Sequence, residues 1–208
     1  MTAGGEPVPG WLRELADAAG KMEINPRSQP PPNVGRASAV LILFAGGPDD
    51  PDLLFIERSQ WLRLHAGQPA FPGGAIDAAD SGPVAAALRE AAEEVGVDPG
   101  GVEVVGTLPE LFIPRTGFRV VPVLAWWRQP CAVAPVDPAE VAAVERIPVS
   151  ELSDPAARVM VRGPGGFVSP AFRVRSMLIW GFTAVLVDRL LALAGWERPW
   201  DAAAVVDL

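Results

Sequence analysis

Three carboxylates at close helical spacing are the residues of this 208-residue chain with the most evident chemistry. Glu90 stands three residues before Glu93 and four before Glu94. On an α-helix, positions three and four apart are neighbours, so all three acids crowd one face. Like charges placed this way destabilise a helix by roughly 0.2–0.5 kcal/mol per pair. Arg89, four residues before Glu93, relieves part of that repulsion. A divalent cation would relieve the rest, because hard Mg2+ or Mn2+ takes carboxylate oxygen and bridges protein acids to substrate phosphate. A solvated acidic face is the plain alternative. Just upstream, Phe71-Pro72-Gly73-Gly74 reads as a tight turn closing a strand, where bare backbone can offer carbonyls to the same cation. The loop from Ala75 to Gly82 then delivers the chain to the helix.

A helix over 83–95 must carry these acids. Pro83 suits its first position, Ser81 or Gly82 its cap and Gly96 its stop. Val84, Leu88, Ala91 and Val95 form an apolar stripe for the core, with the three acids away from it. Strands are expected at 38–45, 53–57, 102–108, 118–127 and about 143–149, and a further helix near 176–194. The Pro- and Ala-rich stretch 129–139 reads as a surface loop. Strands alternating with helices and hairpin-like turns predict an α/β class, a mixed sheet with helices on its faces. Residues 1–35 read as an N-terminal extension rather than core. It holds one amphipathic helix between Val8 and Ala19, with Trp11, Leu12 and Leu15 as its apolar contacts, and a linker broken by Pro26, Pro30, Pro31 and Pro32. Residues 36–208 form the main domain.

Composition narrows the function. The chain has 25 acidic against 17 basic residues, a formal charge of -8. A nucleic-acid partner bound by a broad cationic face is therefore not expected. An anionic small molecule is still admissible if a cation mediates the contact. Cys131 is the only cysteine and His65 the only histidine, which excludes an internal disulfide, a four-thiolate zinc site and any mechanism using two imidazoles. The stretch Ser176–Val187 is uncharged but only 12 residues long, too short for a bilayer, so no membrane span is expected. With no signal-like N-terminus, the expected location is cytoplasmic.

At the acidic helix the sequence resembles the Nudix hydrolase signature. Gly74 is followed after five residues by Asp80, where the signature has Glu. Eight residues then lead to Arg89-Glu90, one more than the general pattern, and Glu93-Glu94-Val95-Gly96-Val97 matches in full. A second run, Arg58-Ser59, Arg63, Gly67 and Phe71-Pro72-Gly73-Gly74, resembles the additional motif of the coenzyme A pyrophosphatase branch, which tolerates the longer gap. His65-Ala66-Gly67-Gln68 and Ile179-Trp180-Gly181-Phe182-Thr183-Ala184 are similar to that branch too, whereas Phe55 and Ile56 depart from its usual Leu and Thr. The resemblance covers about residues 36–196.

The resemblance implies a Nudix fold, a mixed β-sheet sandwiched between helices, and cleavage of the coenzyme A pyrophosphate to 3',5'-ADP and 4'-phosphopantetheine. It implies that Glu90, Glu93 and Glu94, with the carbonyl of Gly74, ligate Mg2+ or Mn2+ and that water attacks a phosphorus in line. Glu90 or Glu93 is the first candidate for the base. Glu140 or Glu145, before or on the last strand, could serve instead or be plain surface charge. Arg89 is expected to orient the carboxylates, and Asp80 to support it. Arg58 and Arg63 suit phosphate by their two-pronged geometry, or else pair with the acidic helix. Ser59, Gly67, Phe71 and Gly73 complete the substrate motif. His65 is read as a hydrogen-bonded loop residue. One of Trp126 and Trp127 is a candidate to stack on adenine, and Trp180 and Phe182 either shape the site or pin the last helix. The substrate is a small molecule, and a homodimer is compatible. Other readings are a Nudix enzyme for ADP-ribose, a dinucleotide or an oxidised nucleotide, and a non-catalytic Nudix-fold binding protein.

Overall fold

The computed structural model describes residues 6–208 apart from 26–27, 32–33, 48, 63–65 and 164–165. The strands are long enough to alternate cleanly between two faces, and that alternation organises the molecule. β1 (Arg36–Gly46) and β7 (Phe118–Trp127) run parallel side by side, and β2 (Pro51–Arg58) pairs antiparallel with the end of β1. On one face lie Ala39, Leu41 and Leu43 of β1, Leu54 and Ile56 of β2, and Val123, Ala125 and Trp127 of β7. On the other lie Ile42 and Phe44, Leu53 and Phe55, and Leu124 and Trp126. A period of two sends successive side chains to opposite faces, and here both faces are apolar because both are covered.

The remaining strands of this eight-stranded mixed sheet are β3 (Pro69–Ala70) and β8 (Val141–Pro148) on β2, β4 (Gly73–Ala75) on β1, and β5 (Val102–Thr107) and β6 (Leu111–Ile113) on β7. α2 (Pro83–Val95) covers the first face with Ala86, Ala87, Ala91 and Val95. α1 (Gly10–Gly20) and α4 (Gly181–Leu193) cover the second. The expected α/β architecture, a mixed sheet between helices, is the one observed.

Two features depart from expectation. α1 is not set apart from the core: Leu12, Leu15 and Ala19 are buried in the same cluster as Phe44 and Trp126. Trp11 meets Phe44 and Trp196 edge to face at 5.3 and 4.9 Å, and Trp126 Nε1 donates to the Glu6 carbonyl at 3.2 Å. Aromatic edge contacts of this kind add about 0.5–1.5 kcal/mol each beyond the area they bury. The other departure is a second, four-stranded sheet formed by β9 (Arg158–Arg162), β10 (Val168–Val174), β11 (Met177–Ile179) and β12 (Val205–Asp207). Its strands are three to seven residues long, too short to give a periodic signal, and β11 falls inside the stretch 176–194 expected to be helical. α3 (Val149–Leu152) joins β8 to this part. Among the described residues no helix is long and apolar enough to cross a membrane.

Candidate active site

The cleft lies where α2 crosses β4 and the end of β2. Gly82 (φ +145°) precedes Pro83 and Gly96 (φ +76°) ends the helix, as their residue types demand. The 129–139 stretch does more than cover the surface. The N–H groups of Ala134 and Val136 donate to the carbonyls of Val95 and Glu94 at 3.2 and 3.0 Å, tying down the last turn of α2.

β4 needs its two glycines. A Cβ on Gly73 would fall 2.3 Å from the Ala39 carbonyl oxygen, at a φ of +154°. A Cβ on Gly74 would fall 2.5 Å from the Glu90 carboxylate. Bare backbone therefore lies directly against Glu90. The Gly73 N–H donates to Glu94 Oε2 at 2.9 Å, so Gly73 positions an acid rather than touching a ligand through a side chain.

Arg89 organises the other acids. It grips Asp80 with two parallel bonds, Nε to Oδ1 at 3.1 Å and Nη2 to Oδ2 at 3.0 Å. Its Nη1 donates to Glu90 Oε1 at 3.0 Å and Glu93 Oε2 at 2.8 Å, and Nη2 also reaches the Ala75 carbonyl at 3.1 Å. Such pairing holds Asp80 below the usual carboxylate range and raises the Arg89 pKa. Arg89 thus ties Asp80 to Glu90 and Glu93 in one hydrogen-bonded group. The helix stripe is rotated from the expected one: Val84 and Leu88 are only partly covered, while Glu94, 7% exposed, shares the buried face with Ala87, Ala91 and Val95. Burial pushes the Glu94 carboxyl up to about 7, against the pull of the Gly73 amide and the Arg58 guanidinium. Burial likewise raises Glu90, with Arg89 opposing. Glu93 is 59% exposed.

Arg58 follows Leu54 and Ile56 onto the α2 face, at a register shift in the pairing of β2 with β8. Its Nη1 is 3.9 Å from Glu94 Oε1, and its Nε is buried with no hydrogen-bond partner among the described residues. The arginine is thus tethered loosely and holds donor capacity in reserve. Ser59 N–H donates to the Glu140 carbonyl at 2.9 Å, which brings Glu140 to the edge of the cleft, near enough for its charge to act on Glu94.

Several expected site residues sit elsewhere. Glu145 pairs in register with Phe55, so it points to the opposite face of the sheet from α2, where Arg175 Nη1 donates to it at 2.6 Å. It cannot reach the acids as a base. Phe71 is buried in the core, stacked on Phe55 at 5.0 Å, and cannot contact a ligand in the cleft. The Ser59 hydroxyl is buried and accepts from the Trp61 N–H at 3.3 Å, so it shapes a turn. Gly67 (φ +66°) closes the same loop, its Cα facing the Gln60 amide. Trp126 and Trp127 are both buried, on opposite faces, and neither offers a ring to adenine. Trp180 packs on the small sheet and Phe182 on the main core, as helix pins. Arg63 and His65 lie outside the described residues. The residue that sequence reading missed is Trp61, 88% exposed three positions after Arg58.

Among the described residues no three acids already converge as a cation cage, because Arg89 draws Glu90 and Glu93 by one oxygen each. The donor set still fits a hard divalent cation. The Glu90 and Glu94 carboxylates lie against the bare backbone of Gly74 and Gly73, burial raises both carboxyls, and the exposed Glu93 is joined to Glu90 through Arg89.

Comparison with known proteins accords with this geometry. The NUDIX domain profile matches residues 35–168, well over half of the chain. "Uncharacterized Nudix hydrolase NudL" of Klebsiella aerogenes is 46% identical over 112 residues, 53% of this chain and 92% of that protein. The Escherichia coli (strain K12) protein of the same name is 53% identical over 89 residues, 43% of this chain and 45% of that protein, so the match spans less than half of that relative. Among solved structures, the Nudix hydrolase RenU from M. smegmatis is 22% identical with a TM-score of 0.55, covering 80% of this chain and 89% of that one. That likeness is one of fold. A fold of this architecture, with a matching profile running from β1 through the acidic helix and beyond, places the chain in the Nudix hydrolase family.

Proposed function

We propose that the protein is a divalent-metal-dependent pyrophosphohydrolase that cleaves coenzyme A, or a derivative of it, to 3',5'-ADP and 4'-phosphopantetheine or its acylated form. The observation that carries this reading is the meeting of the two motifs. Arg58 of the first lies 3.9 Å from Glu94 of the second, and Gly73 of the first, next to the shared Gly74, hydrogen-bonds the same carboxylate. The departures at Phe55 and Ile56 are consistent with it, since both side chains are buried in the core on opposite faces of β2 and present nothing to a ligand. Glu90, Glu93 and Glu94 are all present, which disfavours a non-catalytic binding protein.

In this mechanism Glu90, Glu93, Glu94 and the Gly74 carbonyl would hold Mg2+ or Mn2+, which would supply Lewis acidity and charge neutralisation at the phosphoryl oxygens. The chain's own residues do the rest. Arg89, fixed by Asp80, holds Glu90 and Glu93 each by one oxygen and leaves the other free. Arg58, 30% exposed and only loosely paired with Glu94, offers its guanidinium to the pyrophosphate, where charge on the equatorial oxygens needs cationic partners. Glu93, the most exposed of the three acids, or Glu140 at the rim takes the proton of the attacking water. Water adds its oxygen to one phosphorus, the bridging oxygen leaves on the other, and two phosphate monoesters result.

The test is incubation of the purified protein with coenzyme A and Mg2+ or Mn2+, with chromatographic separation of the products. Equal amounts of 3',5'-ADP and 4'-phosphopantetheine, absent with chelator, are expected. Cleavage of ADP-ribose or another dinucleotide in place of coenzyme A would overturn the substrate and keep the metal site.

A further inference from the structure

The loop that leaves β2 is firmly tied at its base. The Arg58 N–H donates to the Gln68 carbonyl at 3.1 Å and the Gly67 N–H to the Arg58 carbonyl at 2.9 Å, closing its neck. Ser59 is anchored to Glu140, the Leu62 N–H donates to the Ser59 carbonyl at 3.3 Å, and the Trp61 N–H donates to the buried Ser59 hydroxyl. The backbone on both sides of Trp61 is thus fixed. Yet its indole stands in water, whereas the other six tryptophans of the chain are all buried or partly buried. Gln60 beside it is polar, and Leu62 is partly covered, so among the described residues of this turn Trp61 is the one exposed ring and not part of an apolar patch. A protein partner would be expected to bury a contiguous patch, while a single fixed ring suits a single planar ligand.

We propose that Trp61 is the platform on which the purine base of the nucleotide half of the substrate stacks. The proposal deepens the pyrophosphohydrolase reading and rests on it. Only Ser59 and Gln60 separate the ring from Arg58, and the Ser59–Leu62 turn keeps it near that end of β2. One short segment then presents a guanidinium to the phosphates and an aromatic face to the base. Every purine has a π face, and stacking on tryptophan asks nothing of the ligand beyond that face. Trp61 makes no contact with reacting atoms, so it sets affinity rather than rate.

Binding of adenosine 3',5'-bisphosphate and, separately, of inorganic pyrophosphate is measured by calorimetry with Mg2+ for the unaltered protein, W61F and W61A. W61A is expected to weaken the nucleotide about tenfold, within the range for loss of one base–aromatic stack. W61F should keep most of the affinity, and pyrophosphate should bind all three alike. In turnover, W61A should raise KM about tenfold with kcat within about twofold. Unchanged nucleotide affinity in W61A, equal weakening of both probes, or no nucleotide binding by the unaltered protein would each overturn the proposal. The parent reading fails separately: if the unaltered protein leaves coenzyme A intact but binds the nucleotide through Trp61, the substrate is wrong and the platform stands.

Discussion

Arg89 and Arg158 each gather carboxylates, the first at the rim of a cleft and the second beneath aromatic cover. Arg89 is 27% exposed and lies within 4 Å of Asp77, Asp80, Glu90 and Glu93. One guanidinium cannot balance four acids, and Glu94 behind them adds a fifth. Arg158 is 1% exposed and pairs with Asp188 and Glu197 between the rings of Phe172 and Trp200, whose centroids lie 5.5 and 4.5 Å away. Arg189 stands close enough to act on Asp188 as well, so charge there is nearly balanced. The same residue types therefore build two different things. Around Arg158 they close a joint between α4, the C-terminal segment and the small sheet. Around Arg89 they leave an electrostatic deficit that a cation and a phosphate ester can fill, and a site of that kind is bought with stability.

Substitutions that separate rate from stability break or sharpen this contrast. The largest effect is expected from Glu94→Gln, which should lower turnover at least about 1,000-fold, since it removes a hard oxygen donor from the cation set. Its denaturation midpoint should stay level or rise, because a buried carboxylate becomes a neutral amide. A marked loss of stability would make Glu94 part of the scaffold. Arg158→Met should do the reverse: urea unfolding is expected to show a loss of about 3 kcal/mol, from acids left unpaired against the core, with turnover per folded molecule within about twofold. Arg89→Lys keeps the charge but cannot grip Asp80 with two prongs, and should reduce activity roughly 10- to 100-fold, as loss of support behind metal ligands does elsewhere. Full activity in that variant would show that Glu90 and Glu93 need no orientation. The smallest effect belongs to Glu145→Gln, which should leave turnover unchanged and cost under about 1 kcal/mol for an exposed pair. A large rate loss there would contradict its placement on the far face of the sheet.

The acidic helix was legible because its signals are strong and local. Pro83 and Gly96 mark its ends by backbone geometry, and Arg89, Glu90 and Glu93 meet by helical spacing alone. Its rotation was not legible. Five alanines in the first ten residues let either flank approach the sheet, and small side chains do not say which face is buried. Hence Glu94 was placed away from the core stripe with Glu90 and Glu93, although it is buried where Gly73 and Arg58 fix it against β4 and β2. Long-range pairings were lost for a related reason. Phe71 and one of the two adjacent tryptophans looked available for a ligand, but the pleat sends Trp126 and Trp127 to opposite buried faces, and the β4 turn drives Phe71 against Phe55. The second sheet depends on β12 coming back from the C-terminus to β9, a pairing that no local pattern announces. α1 was recognised as a helix from its apolar spacing, yet its place in the core follows from Trp11 meeting Trp196, far along the chain.

The central claim is that Glu90, Glu93 and Glu94 form a divalent-cation site. Calorimetric titration of Mn2+ into the unaltered protein, Glu93→Gln, Glu94→Gln and Arg158→Met tests it most directly. Saturable binding is predicted for the unaltered protein and for Arg158→Met, with affinity reduced at least about tenfold in both glutamine variants. Equal Mn2+ affinity in all four proteins would contradict the claim and leave the acidic face as a solvated surface.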